Sequence, residues 1–368
     1  MVPALRRTED RAAAGRRRSG RRPAQPLGCP DPPVLSGVPG GRRRLFILSV
    51  DGGGFRGLFA AELLRRIEER WQPDWTSRFG LFAGTSSGAI LAAGLAAGVP
   101  AASIADFYGR YGPAVFRRRL RSWPSGLLAS RHDARVLRAH LGEVLPDVDL
   151  AQFPVPLLIP VADIASGRPS VLRSAGLGTR ESPASPHDLR DAVLASCAPP
   201  TWFDPWTPRE RNPLADGGLW ANNPALAAYA EARLRFRFPS GSLRIVSVGT
   251  GRSRHYYRAA RGRRFGRLRD RWMGWGLATG WKRERLVEFS LATQSTATHE
   301  TLCHLLGEDP AKPRRILRLD FESDDVIRFD DPEAGQELVD HAERVFVRRA
   351  REIAAFFEVP PAEPAKNH

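Results

Sequence analysis

The segment Gly84-Thr85-Ser86-Ser87-Gly88 has the residue types and spacing of a turn that presents a reactive serine. An apolar run from Phe79 to Ala83 precedes it, and small and apolar residues follow it over 88–97. This order predicts a buried strand, a sharp turn and a helix, which together form a nucleophile elbow. Glycines on both sides permit the close backbone approach that such a turn needs. We therefore predict Ser86 as a nucleophile that lies above a helix N-terminus.

A second glycine-rich turn, Asp51-Gly52-Gly53-Gly54-Phe55-Arg56-Gly57, lies upstream of this serine. It follows the apolar run from Leu45 to Val50, and apolar residues at helical spacing continue from Leu58 to Trp71. A strand, a glycine turn and a helix in this order can hold an anion, because several backbone N–H groups converge there. The pattern alone fits a dinucleotide phosphate, an acyl-transfer oxyanion or a structural turn. The serine on the next predicted strand favours the oxyanion.

A serine hydroxyl needs a base to accept its proton before it attacks an ester. None of the eight histidines follows an apolar strand in a small, glycine-bearing turn, whereas Asp216-Gly217-Gly218 does. Asp216 is therefore the candidate base. On the residues alone, an ordinary Asp-Gly-Gly turn explains the pattern equally well, so both interpretations stay open at this point.

The three segments together resemble the patatin-like phospholipase family in content, order and spacing. The resemblance covers about 45–357 and implies a three-layer α/β/α fold with a central, mostly parallel sheet, in a domain over residues 43–358. It also implies a Ser86–Asp216 dyad without histidine, an oxyanion loop at Gly52, Gly53 and Gly54, and hydrolysis of phospholipid or related acyl esters without metal or cofactor. Further residues that match the motifs are Arg56, Gly57, Gly84, Gly88, Gly217 and Gly218.

Two features of the motifs and of the C-terminal part extend this resemblance. Arg56 is expected either to brace the glycine loop or to pair with a lipid phosphate. The basic segment after Gly251 and the long helical C-terminus resemble bacterial antiphage effectors of this family, which respond to cyclic nucleotides. That similarity implies a cyclic-nucleotide activator.

The net charge of +16 is concentrated in two segments. Residues 1–44 carry +8 in a Pro/Gly/Arg-rich stretch without apolar periodicity, which predicts a disordered tail over 1–42, and a second tail is predicted over 359–368. Residues 252–285 carry +10 interleaved with aromatic side chains, which leaves −2 for the remainder. Mixed Trp and Arg side chains suit an anionic membrane surface, although arginines on solvated faces are the simpler alternative. The candidate membrane contacts are Arg271, Trp272, Trp275 and Trp281.

Composition and cysteine spacing restrict the compartment and the class of protein. The cysteines Cys29, Cys197 and Cys303 are widely separated, which argues against a disulfide framework or a zinc site and fits a reducing compartment. No apolar run reaches spanning length and no secretory signal is evident, so we expect a cytoplasmic protein, either free or peripheral on the inner membrane face.

Two alternative functions remain open from the sequence. The same scaffold could serve an acyltransferase or thioesterase, in which the choice of acceptor replaces water. A basic nucleic-acid-binding protein with a degenerate hydrolase core would instead show strongly salt-dependent binding and no esterase activity. The sequence indicates no specific nucleic acid, and it gives no oligomeric state.

Overall fold

The computed structural model describes residues 44–71, 75–117, 129–178, 184–207, 212–235, 238–257, 281 and 283–357. The predicted tails at 1–42 and 359–368, and the predicted domain limits at 43 and 358, lie outside these ranges. So do Cys29 and three of the candidate membrane contacts, Arg271, Trp272 and Trp275. These predictions are therefore untested by the structure.

A seven-stranded sheet lies at the centre of the fold. In chain order its strands are β1 (Leu45–Val50), β2 (Phe79–Gly84), β3 (Leu157–Asp163), β4 (Arg168–Arg173), β5 (Leu214–Asp216), β6 (Leu243–Val248) and, after the short β7 (Arg252–Ser253), β8 (Ile316–Leu319). The order across the sheet is β4-β3-β2-β1-β6-β8, with β5 also paired to β3. The β1, β2, β3, β6 and β8 strands are parallel, and β4 and β5 run antiparallel to β3. A separate parallel pair joins β7 to β9 (Glu322–Ser323).

The continuous apolar strands are explained by burial on both faces of this sheet. Successive side chains of a strand point to opposite faces. Ile47 of β1 and Leu81 of β2 pack into one apolar core, whereas their neighbours Leu48 and Phe82 pack into another. Both faces of the central strands are thus withdrawn from water, which requires helices on each side.

Nine helices of the described residues supply these two layers. The larger core is built with α1 (Gly57–Trp71), α2 (Ser87–Ala96), α3 (Ala101–Val115), α4 (Ala134–Leu141), α5 (Leu189–Ser196) and α9 (Gly335–Phe356). The short α6 (Gly218–Ala221) follows β5 directly, and α7 (Ala225–Arg235) and α8 (Arg283–Leu305) contribute to the smaller core. The predicted α/β fold with a mostly parallel central sheet is confirmed.

The pairing of β3 brings the end of β5 close to the end of β2. The β2 strand pairs with β3 at Leu157 and Leu158, and β5 pairs with β3 farther along, from Val161 to Asp163. The other edge of β3 is paired with β4. β5 therefore pairs with the same edge of β3 as β2 does, beyond the point where β2 ends and the chain turns at Ser86. This topology places the two ends side by side.

The acidic region from Asp320 to Asp331 is not the solvated loop that its composition predicts. Its Phe329 is buried, and the Asp330 side chain is only 3% exposed. That carboxylate accepts a hydrogen bond from Trp202 Nε1 and forms an ion pair with Arg328 at 2.8 Å. Burial is tolerated because arginine partners neutralise the charge, and Arg131, about 200 residues away in sequence, is one of them.

We expect Gly88→Ala to destabilise the fold strongly, because a Cβ there would lie 2.3 Å from the Val50 carbonyl oxygen and 2.6 Å from that of Asp51. Backbone atoms cannot yield as a flexible side chain does, so the free energy of unfolding should fall by about 3 kcal/mol. Urea denaturation measures the change. Gly109→Ala, at an open position of α3, is the control and should raise stability by up to about 1 kcal/mol. Equal stability of the two variants would contradict the packing described here.

Candidate active site

Ser86 occupies a strained turn between β2 and α2. Its backbone has φ 53° and ψ −128°, and Thr201 is the only other non-glycine residue with positive φ in the described part of the chain. A Cβ at Gly84 would lie 2.2 Å from the Gly88 carbonyl oxygen, which explains why both flanking positions are glycine. A non-glycine residue in this conformation costs about 1–3 kcal/mol, so the surrounding contacts must hold it in place.

Ser196, the last residue of α5, provides one of these contacts. Its Oγ accepts a hydrogen bond from the Ser86 backbone N–H at 2.9 Å and donates one to the Pro160 carbonyl of β3 at 2.7 Å. The Ser196 side chain is fully buried and so links the turn, the helix and the sheet. Sequence reasoning missed it. The only signal was a single serine among the apolar residues of that helix.

Asp216 ends β5, opposite Val161 of β3, and is 5% exposed. Its backbone N–H donates to the Ala198 carbonyl, and its Oδ1 accepts from the Gly218 N–H at 2.7 Å. The Ser86 hydroxyl lies beside this carboxylate and lowers its pKa. Burial has the larger effect and raises the pKa of Asp216 to about 7, although the Gly218 N–H and the Ser86 hydroxyl partly oppose the shift.

The glycine loop lies against the same serine. A Cβ at Gly52 would be 3.2 Å from that of Ser86, but the Gly52 N–H is already bonded to the Asn222 carbonyl at 3.0 Å. The Gly53 N–H donates to Ser87 Oγ at 3.1 Å. Gly54 has φ +57°, and its N–H has no backbone acceptor within the described ranges. Of the three loop glycines, Gly53 and Gly54 line the cavity that contains Ser86.

This cavity, which we call the acyl cavity, has Ser86 and Asp216 in its wall and otherwise mostly apolar side chains. Its apolar lining consists of Ile90, Phe107, Val115, Phe116, Leu137, Trp202, Phe203, Leu219, Val287, Leu291 and Phe329. Leu219 is 58% exposed, unusually open for a leucine beside a buried carboxylate. No histidine of the described residues lines the acyl cavity, and these residues contain no metal-binding cluster.

Cys197 is a further polar group in the acyl cavity. Burial and the nearby Asp216 charge raise the pKa of its thiol well above the ordinary value, while a hydrogen bond with Ser86 acts in the opposite direction. The thiol is therefore neutral at physiological pH and is not an activated nucleophile. Cys197 and Cys303 are both free and buried.

Two ion pairs fix the glycine loop from outside the cavity. The Arg56 guanidinium is buried and contacts Glu288 at 2.9 Å. This side chain therefore stabilises the loop. Asp51 binds Arg318 of β8 through two contacts of 2.9 and 2.7 Å and accepts a 2.6 Å hydrogen bond from Ser295. Burial would lower the pKa of Arg318, but the Asp51 and Asp320 carboxylates raise it above its usual value. No local pattern in the sequence indicates these distant partners.

The remaining motif glycines, Gly57 and Gly217, have steric roles. A Cβ at Gly57 would lie 2.8 Å from the Tyr108 hydroxyl, and one at Gly217 would lie 2.2 Å from the Pro160 carbonyl oxygen.

Trp281, the one candidate membrane contact among the described residues, is half-buried, and its carbonyl accepts a hydrogen bond from Tyr257. Its predicted contact with a membrane stays a prediction.

Residues 48–229 match the family model described as patatin-like phospholipase, a range that includes all three sequence motifs. The chain is 33% identical over 251 residues to a cGAMP-activated phospholipase of Vibrio cholerae serotype O1, covering 60% of this chain and 67% of that protein. The chain belongs to the patatin-like phospholipase family. This assignment rests on the match with the Vibrio cholerae relative and on the family model. The resemblance that the sequence motifs predicted is confirmed.

Two further relatives are similar to the chain at comparable levels. A cGAMP-activated phospholipase of Pseudomonas aeruginosa is 30% identical over 227 residues, which cover 59% of this chain and 64% of that protein. A cUMP-AMP-activated phospholipase of Escherichia coli is 29% identical over 214 residues, covering 56% and 64%. The chain thus spans roughly two thirds of the lengths of these relatives. Within the described ranges, no helix combines the length and apolar character needed to cross a bilayer.

The buried Asp216 carboxylate predicts an unusual pH dependence of stability. Its folded pKa of about 7 exceeds the ordinary value of 3.8, so ionisation in the folded state opposes folding. The stability contributed by its protonated form is complete below pH 3.8 and is lost as pH rises through 7. We expect Asp216→Asn to unfold at a higher temperature than the unmodified protein at pH 8, with a smaller difference at pH 5.5.

Thermal unfolding followed by circular dichroism at the two pH values measures this effect. Asp163→Asn is the matched control, because Asn212 and the Ser166 N–H lower the pKa of that exposed carboxylate. It should give no stability gain at pH 8. A loss of stability in Asp216→Asn at pH 8 would contradict the proposed cost of its ionisation.

Proposed function

We propose that this protein is a lipid acyl hydrolase of the phospholipase A type, with Ser86 as nucleophile and Asp216 as base. One observation carries the proposal: the hydroxyl on the strained turn lies beside a buried carboxylate whose pKa is about 7, at the wall of a mostly apolar cavity. A base with a pKa near the working pH can both accept and return a proton efficiently.

The reaction follows from these roles. The Ser86 Oγ attacks the ester carbonyl carbon while its proton moves to Asp216, which forms a tetrahedral intermediate. Collapse of the intermediate breaks the bond to the leaving alcohol, and Asp216 returns the proton to that oxygen. A water molecule then attacks the acyl-serine, again with Asp216 as base, and releases the fatty acid. The dyad regains its starting protonation state, so no further cofactor is required.

Backbone amides of the glycine loop are the proposed donors to the intermediate's oxyanion. The free N–H of Gly54 and its position in the cavity wall support it as one donor. The Gly53 N–H can join if it exchanges Ser87 Oγ for the developing charge. Gly52 instead serves to hold the loop, since its N–H is bonded to Asn222. One such donor contributes roughly 3 kcal/mol to transition-state stabilisation.

The acyl cavity supports a lipid substrate. Its apolar side chains suit a fatty acyl chain because binding there removes hydrocarbon from water. The exposed Leu219 beside Asp216 would contact hydrocarbon at a membrane surface. Phospholipase is also the activity named for the bacterial relatives. We propose an anionic phospholipid membrane as the working surface, with the protein attached peripherally from the cytoplasm.

The relatives are further named as activated by cGAMP or cUMP-AMP. We propose that a cyclic dinucleotide likewise raises the hydrolase activity of this chain. Assays of the function therefore need to include such an activator.

Ser86→Ala and Asp216→Asn should each reduce fatty-acid release at least a thousandfold, because each removes a group that acts in the transition state. The assay uses acyl-labelled phosphatidylglycerol vesicles with added cGAMP. Asp163→Asn, a carboxylate change at a residue that does not line the acyl cavity, is the control and should retain full activity. Activity that survives either dyad substitution would disprove the proposed roles, and label transferred to added glycerol would indicate an acyltransferase.

The rate should also report the ionisation of Asp216. Only the ionised carboxylate accepts the serine proton, so kcat/KM should rise with pH and level off above a midpoint near 7. Below pH 6 it should fall about tenfold per pH unit. Initial rates on a soluble short-chain ester, which avoids effects of vesicle charge, measure this profile. A flat profile from pH 5.5 to 8 would exclude a base with this pKa.

A further inference from the structure

A second, polar cavity of about 730 Å³ lies beside the acyl cavity. The two cavities share Asn222 and Leu291 in their walls. Helix α8 separates them: Val287 and Leu291 line the acyl cavity, and Ser295 and His299 line the second one. The volume is within the range of small-molecule sites, but its polar lining does not suit an acyl chain.

The charges in this second cavity leave an excess of arginine on one wall. Except for Glu300 of α8, each carboxylate that lines the cavity forms an ion pair with an arginine that also lines it. The pairs are Asp51 and Asp320 with Arg318, Glu288 with Arg56, and Glu322 with Arg252 and Arg254. Arg344 and Arg348 also line it, one turn apart on α9, and neither has an ion-pair partner among the described residues. Two adjacent guanidinium groups without carboxylates are suited to a phosphate.

Aromatic rings lie near this arginine pair. Phe321 and His341 stack on each other with ring centroids 4.1 Å apart and an interplanar angle of 23°. Burial and the adjacent Arg344 lower the pKa of His341, so its ring is neutral at physiological pH. The Tyr256 ring lines the same cavity. Flat rings next to phosphate-binding groups are the combination that a nucleotide requires.

The second cavity also contacts the residues that fix the glycine loop. Arg318, in its wall, holds Asp51, which directly precedes Gly52. Ser295 of α8 bonds to the same Asp51 carboxylate, and Glu288 of α8 bonds to Arg56. A ligand that moves α8 or Arg318 would therefore change the position of the loop and of the shared Leu291.

We propose that the second cavity binds a cyclic dinucleotide, with phosphate at Arg344 and Arg348 and a base against the Phe321–His341 stack, and that its occupant adjusts the glycine loop through Asp51–Arg318 and α8. The activation part rests on the proposed function, whereas binding can be tested without it. The location distinguishes this site from the acyl cavity, where lipid binds.

The experiment measures cGAMP and cUMP-AMP binding by titration calorimetry to the full chain carrying Ser86→Ala, which cannot turn over lipid. Adding Arg344→Gln and Arg348→Gln together should weaken binding at least tenfold, and raising the salt concentration should weaken binding to the parent further. Arg351→Gln, an exposed arginine of α9 outside the cavity, is the matched control and should bind as the parent does. In the active protein, the double substitution should raise the half-maximal activator concentration by the same factor.

The outcomes separate this proposal from the hydrolase. Arginine-dependent binding without lipid hydrolysis by the active protein would retain the site and reject the proposed function. Unaltered binding in the double variant, or no binding of either dinucleotide at millimolar concentration, would overturn the site. Protection of the amides of residues 52–56 from hydrogen exchange on binding is expected from the contact through Asp51. Binding without such protection would reject the coupling.

Discussion

The placement of the Ser86 hydroxyl beside the buried Asp216 carboxylate imposes the main constraint on this fold. The two residues are 130 positions apart, and each is unfavourable by itself: one has a strained backbone, the other a carboxyl group withdrawn from water. The sheet makes them neighbours because β5 takes the edge of β3 that β2 vacates. Ser196 then joins the turn to β3 through its single hydroxyl. The free-energy cost of the strained turn and of the buried carboxyl group is thus offset by the cooperative packing of the whole sheet.

Buried ion pairs have a related role around the glycine loop. Replacing a buried pair with apolar residues is often neutral for stability, so the Asp51–Arg318 and Arg56–Glu288 pairs are poorly explained as sources of stability. Instead, these pairs fix the position of the glycine loop. Arg318 of β8 binds Asp51 at the start of the loop, and Arg56 extends from the loop to Glu288 of α8. The loop held in this way keeps the Gly54 N–H without a competing backbone acceptor among the described residues. Free donors at a buried site are rare, and here the surrounding charges hold one in position.

The sequence predicted β1 and β2 well because their signals are local. An apolar run before a glycine turn needs no distant partner to be recognised, and β1 begins and ends where the pattern predicted. The partners of buried charges are not local. Asp330 pairs with the nearby Arg328, but its other partners, Trp202 and Arg131, lie more than 100 positions away in sequence. Arg318 of β8 is likewise 267 positions from Asp51. Ser196 was missed because one hydroxyl in an apolar helix has no periodic signature.

The shared wall between the two cavities gives this arrangement a further consequence. A rigid catalytic pocket would be better isolated from polar cavities, since water and mobile charges weaken the electrostatic interactions on which an oxyanion site depends. Here α8 contacts both cavities, and its Glu288 and Ser295 bond directly to the residues that fix the glycine loop. The position of the proposed oxyanion donors therefore depends on a helix that is exposed to a second, charged compartment. Such dependence is a disadvantage for an enzyme that is always active, and it is what control of the proposed hydrolase by a small ligand would require.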